Sequence, residues 1–405
     1  MPAPWPAELL AEIQRKVAAD NGKVVVLDDD PTGTQTVHGI PVLTQWSTAD
    51  LAAELLGPHA AFYILTNSRS LTSDAAGLLN HEIGLNLKAA SRQAVVPVEV
   101  ISRSDSTLRG HFPAEVDALA KAMEVGELPC LIIPCFFEGG RYTVNDIHYV
   151  AEGEHLIPAA QTPYADDAAF GYGHSNLRDW VAEKSVGRVR RDEVAAISLA
   201  ELRRGGPDRV TQILSGLSAG TICVVNAADY SDLELFVLGL LQAREQGHRF
   251  LYRTAASFVR VRCGLAPHRL LDARDLAADN RNGGLFVVGS YVPKTTVQVA
   301  ALNASGDISA LEIDVGNLLQ DDQRDGEIAR VTIAMNARIG AGEDVLLYTS
   351  RNLVKGDDAS HSLAIGWRVS ESLIRVVQGL AHQPRYLVAK GGITSSQVAT
   401  QGLGV

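Results

Sequence analysis

Three short runs of carboxylates, hydroxyls and arginines hold most of the reactive chemistry in this sequence, and each follows directly on a run of apolar residues. They are Asp28-Asp29-Asp30-Pro31-Thr32-Gly33-Thr34, Thr66-Asn67-Ser68-Arg69-Ser70 and Arg103-Ser104-Asp105-Ser106-Thr107-Leu108-Arg109-Gly110. Three successive carboxylates repel one another, so a partner must offset them: Mg2+, a hydroxyl-rich ligand or a nearby arginine. Arginine forms a bidentate fork with a carboxylate, and such charge-assisted bonds contribute roughly 1.5–3 kcal/mol each. Arg69 and Arg103 therefore suit a small organic acid, with Ser and Asp side chains reading its hydroxyls. His111, beside Arg109-Gly110, and His38 and His148, both expected in loops, read as hydrogen-bonding residues rather than bases or ligands.

The C-terminal third repeats the arrangement with different residues. Apolar runs there end in Gly289-Ser290, in Thr349-Ser350-Arg351 and in Lys390-Gly391-Gly392-Ile393-Thr394-Ser395-Ser396. Glycine lets a phosphate approach the backbone. Ser and Thr cap the helix that follows, whose free N–H groups and dipole face an anion. These turns predict a phosphate or nucleotide site. There is no GxxxxGK[ST] loop, GxGxxG fingerprint, GxSxG elbow or HExxH pair. The eleven histidines show no metal-ligand spacing. Cys130, Cys135, Cys223 and Cys263 form no CxxC pair and read as small buried hydrophobes in a reducing compartment. No protein-held metal site is expected.

Positioning these runs requires an α/β fold. Val24 to Leu27, Phe62 to Leu65, Val98 to Ile101, Leu131 to Ile133, Ile222 to Val225, Leu285 to Val288, Val345 to Tyr348 and Tyr386 to Ala389 are apolar runs, continuous but for Glu99, as in strands covered on both faces. Residues 72–93, 111–123, 229–246, 326–339 and 360–380 have helical periodicity. Alternating strands and helices predict two domains, each with a mostly parallel sheet flanked by helices, and an active site in the cleft between them. The polar stretch Asp272 to Gly284 separates an acid-binding domain, 1–272, from a nucleotide-binding domain, 284–405. Residues 139–173, rich in Gly, Pro, Tyr and Asp, interrupt the alternation as an inserted hairpin or long loop.

The 405 residues are 46% hydrophobic with 20% charged, which excludes intrinsic disorder. A net charge of -11 argues against a nucleic-acid partner, though a local arginine cluster still suits an anion. No apolar run reaches the length of a membrane span and no signal-peptide pattern opens the chain, so a cytoplasmic protein is expected.

The motifs resemble the four-carbon acid sugar kinases, formerly a domain of unknown function. Asp29-Asp30-Pro31-Thr32-Gly33-Thr34 is similar to that family's Asp-Asp-x-Thr-Gly-Ala turn, and Asp105-Ser106-Thr107-Leu108-Arg109-Gly110 to its Asp-Ser-Thr-Leu-Arg-Gly run. Gly289-Ser290 and Gly391-Gly392-Ile393-Thr394-Ser395 resemble its nucleotide-domain motifs. The resemblance implies an ATP- and Mg2+-dependent kinase, in the form of a homodimer, acting on the terminal hydroxyl of threonate, erythronate or a 3-oxo or branched relative. It implies acid contacts from Asp29, Arg69, Arg103, Ser104, Asp105, Ser106 and Arg109. ATP contacts would come from Gly289, Ser290, Ser350, Gly391, Gly392, Ile393 and Thr394. Asp29, Asp30 and Asp105 are the candidate general bases. The family usually continues some tens of residues through a Pro-Gly-Asn-x-Gly-like stretch, which is expected to be lacking here, since the chain stops at Val405. Two other readings are a non-catalytic acid-binding protein and a nicotinamide-dependent hydroxy-acid dehydrogenase.

Overall fold

Lys23–Asp28 (β1) organises the first sheet because it is apolar on both faces. Val24 and Val26 pack on one side with Ile13, Phe236 and Phe258. Val25 and Leu27 pack on the other with Leu51, Leu55, Ile83 and Leu87. Each such side chain, taken fully out of water, contributes roughly 1.5–3 kcal/mol. The chemical run begins where this double burial ends.

A computed structural model describes residues 1–272, 275, 280–289, 293–351, 354 and 359–404. The chain forms two units, Met1–His268 and Arg269–Val405. The other strands of the first unit are Val42–Leu43 (β2), Ala61–Leu65 (β3), Val98–Arg103 (β4), Cys130–Ile133 (β5), Arg141–Val144 (β6), Ile147–Glu152 (β7), His155–Pro158 (β8), Ala195–Ile197 (β9), Ile222–Val225 (β10) and Leu251–Thr254 (β11). Seven of them join β1 in one sheet of order β2-β3-β1-β4-β11-β5-β10-β9, with every pairing parallel.

The longest helix of this unit, Ser73–Ala94, starts where the Thr72 hydroxyl accepts the Ala75 N–H at 3.4 Å, and it buries Ile83 and Leu87 against β1 and β3. Leu199–Ser215 has no clear helical signal in the sequence because Gly205-Gly206-Pro207 lies inside it. The chain kinks there, with Gly206 at φ 64, and helix resumes at Pro207.

The interruption at 139–173 contains a three-stranded antiparallel sheet, β6-β7-β8. Asn145 and Asp146, both at positive φ (52 and 64), make its two-residue turn. His148 therefore lies in β7 and is fully buried, not in the loop expected for it.

The second unit pairs Leu285–Val288 (β12), Ser309–Ile313 (β13), Val345–Thr349 (β14) and Leu387–Lys390 (β15) in the order β13-β14-β12-β15, again all parallel. Leu285, Val287, Leu311 and Leu347 face Val331, Met335 and Val376 of the helices Asp321–Gly340 and Ala359–Gln378. Among the described residues no helix is long and apolar enough to cross a membrane.

Candidate active site

β1 lies between β3 and β4, which leave it in opposite directions across the sheet. Its carboxyl end is thus the switch point at which open parallel sheets bind ligands. Asp28 is in register with Leu65 and with Arg103, so the three chemical runs emerge side by side.

The three carboxylates at the end of β1 have separate partners. Asp28 is buried and its Oδ1 accepts from Arg103 Nη1 at 3.2 Å. Burial pushes its carboxyl up to about 7 in spite of that arginine. Gly33 crosses so close that a Cβ there would stand 1.7 Å from Asp28 Oδ2. Asp30 takes Arg69 on one oxygen and the Thr32 amide (2.8 Å) and hydroxyl on the other. Asp29 is 3% exposed. Its Oδ2 accepts from the Ser104 hydroxyl at 2.7 Å, and its Oδ1, also buried, meets no protein donor.

Asp105 joins the second and third runs. Arg69 Nη1 reaches its Oδ1 at 3.1 Å, and Arg109 Nε reaches its Oδ2 at 2.8 Å. Burial would raise its carboxyl, but Arg69 and then Arg109 hold it well below the usual carboxylate range. Leu108 adopts φ 68, unusual for a branched side chain and stabilised here by full burial. Gly110, at φ 115, passes where a Cβ would stand 2.8 Å from Ser104 Oγ and 3.1 Å from Asp29 Oδ2.

Thus Asp29, Asp30, Arg69, Arg103, Ser104, Asp105 and Arg109 come together. Arg103 is 5% exposed and directed at Asp28. Ser106, also buried, presents its carbonyl to His148 Nε2 at 2.7 Å. A carbonyl can only accept, so Nε2 carries the proton and Nδ1 accepts from the Thr143 hydroxyl at 3.0 Å. Burial lowers this imidazole to about 4. His111 is 9% exposed, its Nε2 has no protein partner, and Phe170 meets its ring edge-on with centroids 4.8 Å apart.

Several further residues of the site carry no signal in the sequence. Arg253 of β11, 1% exposed, donates to the carbonyls of Arg109 (2.8 Å) and Asp105 (3.4 Å), and its guanidinium lies 5.1 Å from the Trp180 ring centroid. It braces the Asp105–Gly110 loop from beneath. Glu115 accepts from the Ser68 hydroxyl and from Asn80 Nδ2 (3.3 Å), holding the loop that carries Arg69. Burial, and then the charge of Asp29, push its carboxyl up to about 7. The interruption at 139–173 supplies Tyr164, 5.2 Å beneath the Arg109 guanidinium, Asp167, 3.4 Å from Arg109 Nη1, and Tyr172, whose hydroxyl donates to the Thr107 carbonyl at 2.7 Å. The Gly-, Pro-, Tyr- and Asp-rich composition of that segment is the trace of this wall in the sequence.

In the second unit, β12 and β15 end side by side, with Val288 in register with Lys390. Gly289 follows β12, and a Cβ on it would stand 2.3 Å from the Thr394 hydroxyl. Gly391, at φ 119, turns the chain into the helix Gly392–Gln397, which contains Ile393 and Thr394. Gly289 lets the two strand ends pack together through Thr394, and the Gly391 turn sets first-turn N–H groups at the end of β15, a donor set that fits a nucleotide phosphate. Ser350 is engaged internally: its hydroxyl donates to the Ile313 carbonyl at 3.3 Å and accepts the Val315 N–H at 3.0 Å. Ser290 lies outside the described residues.

Two family models match the chain. Residues 24–262 match a family model described as a sugar-binding N-terminal domain, and residues 285–405 one described as a nucleotide-binding C-terminal domain. A curated relative, D-erythronate kinase of Heliobacterium modesticaldum (strain ATCC 51547 / Ice1), is 26% identical over 369 residues, which cover 88% of this chain and 78% of that one. Two crystal structures share the fold. One, from Salmonella typhimurium LT2 and assigned provisionally as a tRNA synthase, has a TM-score of 0.65 at 17% identity and covers 95% of this chain and 88% of its own. The other, a Haemophilus influenzae protein of a domain-of-unknown-function family, has a TM-score of 0.59 at 17% identity, with 94% and 88% covered. With both domain models matched in order across most of its length, the chain belongs to the four-carbon acid sugar kinase family.

Proposed function

We propose that the protein is an ATP-dependent kinase that phosphorylates the terminal hydroxyl of a four-carbon acid sugar, erythronate or threonate or a 3-oxo or branched relative. Family membership and the relative named D-erythronate kinase support the reaction class. The observation that carries the reading is Asp29 Oδ1, a buried carboxylate oxygen without a protein partner, in the field of Arg103 and Arg253.

Arg109, on the Asp105 loop, offers its outer edge to the acid's carboxylate. Asp29 accepts the proton of the attacking hydroxyl, and such a positioned base supplies about 10²–10⁴ in rate. Of the three candidate bases it is the suitable one. Both oxygens of Asp105 are occupied by arginines, and both oxygens of Asp30 are occupied by Arg69 and Thr32. Ser104 fixes the carboxylate plane of Asp29 through Oδ2 and leaves Oδ1 to the substrate. Arg103 acts behind it by restraining Asp28.

ATP supplies the phosphoryl group, and Mg2+ offsets the charge of its phosphates. Gly289 and the turn at Gly391 to Thr394 receive those phosphates on backbone N–H groups. Mg2+ would take phosphate oxygens as its ligands, as this hard cation commonly does in phosphoryl transfer.

The test is ADP release from ATP and Mg2+ with a panel of four-carbon acids, their 3-oxo forms and branched relatives. Release with one acid in preference to its epimers is expected. Silence across the whole panel rejects the reading.

A further inference from the structure

Of the four arginines in the first-unit site, three are turned inward onto protein acceptors. Arg103 is directed at Asp28, Arg253 at two carbonyls, and Arg69 spans Asp30 and Asp105. Arg109 differs. Its Nε is held by Asp105 and its plane rests on Tyr164, so the fork is fixed in orientation. Among the described residues its outer Nη edge meets one group, Asp167 Oδ2, at 3.4 Å, and both side chains are 26% exposed. The edge is oriented, accessible and weakly occupied.

Asp167 has separate tasks for its two oxygens. Oδ1 accepts the N–H groups of Ala169 (2.9 Å) and Phe170 (3.1 Å), which closes a local turn. Oδ2 is the arm that reaches Arg109. The turn is therefore complete without the bridge.

We infer that Asp167 is a stand-in for the substrate's carboxylate, holding the outer edge of Arg109 with Oδ2 until the acid displaces it, and that it thereby sets which anions are admitted. This rests on reading the first unit as an acid-sugar site. A carboxylate that grips the fork with both oxygens outcompetes a single oxygen at 3.4 Å. A neutral polyol, or an anion able to make one contact, gains nothing by displacing it.

The test compares wild type with Asp167→Asn, which retains the Oδ1 acceptor of the turn, in the ADP-release assay. KM for the preferred acid should fall by about three- to fivefold, the range of an exposed ion pair removed as competitor. KM for the four-carbon polyol lacking a carboxylate should stay as in wild type. Asp166→Asn removes an equal charge one residue away on an exposed side chain and should not lower KM. Asp167→Glu, which keeps the anionic arm, should not lower it either. An unchanged or higher KM in Asp167→Asn overturns the inference, as does an equal fall in Asp166→Asn, which would mark a general field effect. Wild type inert toward every acid would reject the kinase reading and this inference with it, whereas an active wild type with an unresponsive Asp167→Asn rejects the inference alone.

Discussion

Ser104 donates to one oxygen of Asp29 at 2.7 Å, while the other oxygen of the same carboxylate is buried with no protein donor. A buried acceptor left open in this way loses water without a replacement, which is tolerated where a ligand completes it. Asp29→Asn should therefore lower kcat by about 10²–10⁴-fold while leaving the thermal midpoint near that of wild type. Steady-state rates beside a melting curve check both halves of the expectation.

Asp105→Asn should behave differently. Two guanidinium groups converge on that carboxylate, and removing it leaves both without their shared counter-charge. The expected loss is roughly 3 kcal/mol of unfolding free energy, read from urea denaturation at neutral pH. Because the folded carboxyl lies below its unfolded value, its contribution is present above about pH 4 and disappears as the pH falls through the folded value. The acid limb of the stability curve should accordingly be shallower in the variant.

Glu115 and His148 should impose opposite slopes on stability over one pH range. The Glu115 carboxyl rises from 4.5 to about 7 on folding, so its contribution is present below 4.5 and is lost as the pH climbs through 7. Asp28 acts in the same direction, from 3.8 to about 7. The His148 imidazole falls from 6.5 to about 4, so its contribution is present above 6.5 and is lost as the pH drops toward 4. Glu115→Gln should make the melting temperature climb more steeply between pH 4.5 and 7 than in wild type, and His148→Gln should make it climb less. Thermal melts across that range decide it, and parallel curves for all three proteins would contradict the expectation.

Gly289→Ala should weaken nucleotide binding by about tenfold or more, since the added methyl must displace the Thr394 hydroxyl from a position 2.3 Å away. Acid binding by the first unit should be unaffected. Calorimetric titration with ATP and, separately, with the preferred acid tests the two statements.

The legible parts of the molecule were those in which one stretch of chain carries the whole signal. β1, β3, β5, β10, β12 and β14 carry unbroken apolar runs because helices cover both of their faces, and β4 keeps its pattern around a single buried Glu99. β11 escaped notice because Arg253 stands in the middle of Leu-Tyr-Arg-Thr, where a buried charge spoils the pattern. It is tolerated because two carbonyls and the Trp180 ring receive it. Asp29, Asp30, Arg69, Asp105 and Arg109 of the strand-end motifs lie together at the carboxyl end of the sheet. Their pairings were not legible. That Arg103 turns to Asp28, or that Glu115 reaches Ser68 across 47 positions, depends on strand order and on the angle at which a helix leaves its loop.

Strand order also bears on how the protein is made. β4 and β5 follow one another in the chain, yet β11 lies between them, and residues 251–254 are synthesised more than a hundred positions after β5. Until that late segment clears the ribosome, the nascent sheet has a gap at its centre with two unpaired inner edges, a state open to wrong pairing and to chaperones. Arg253 arrives with the strand that closes the gap, so the loop it braces can take its final shape only once the sheet is complete. The newborn chain would thus be unable to grip its ligand until nearly all of its first unit had been translated.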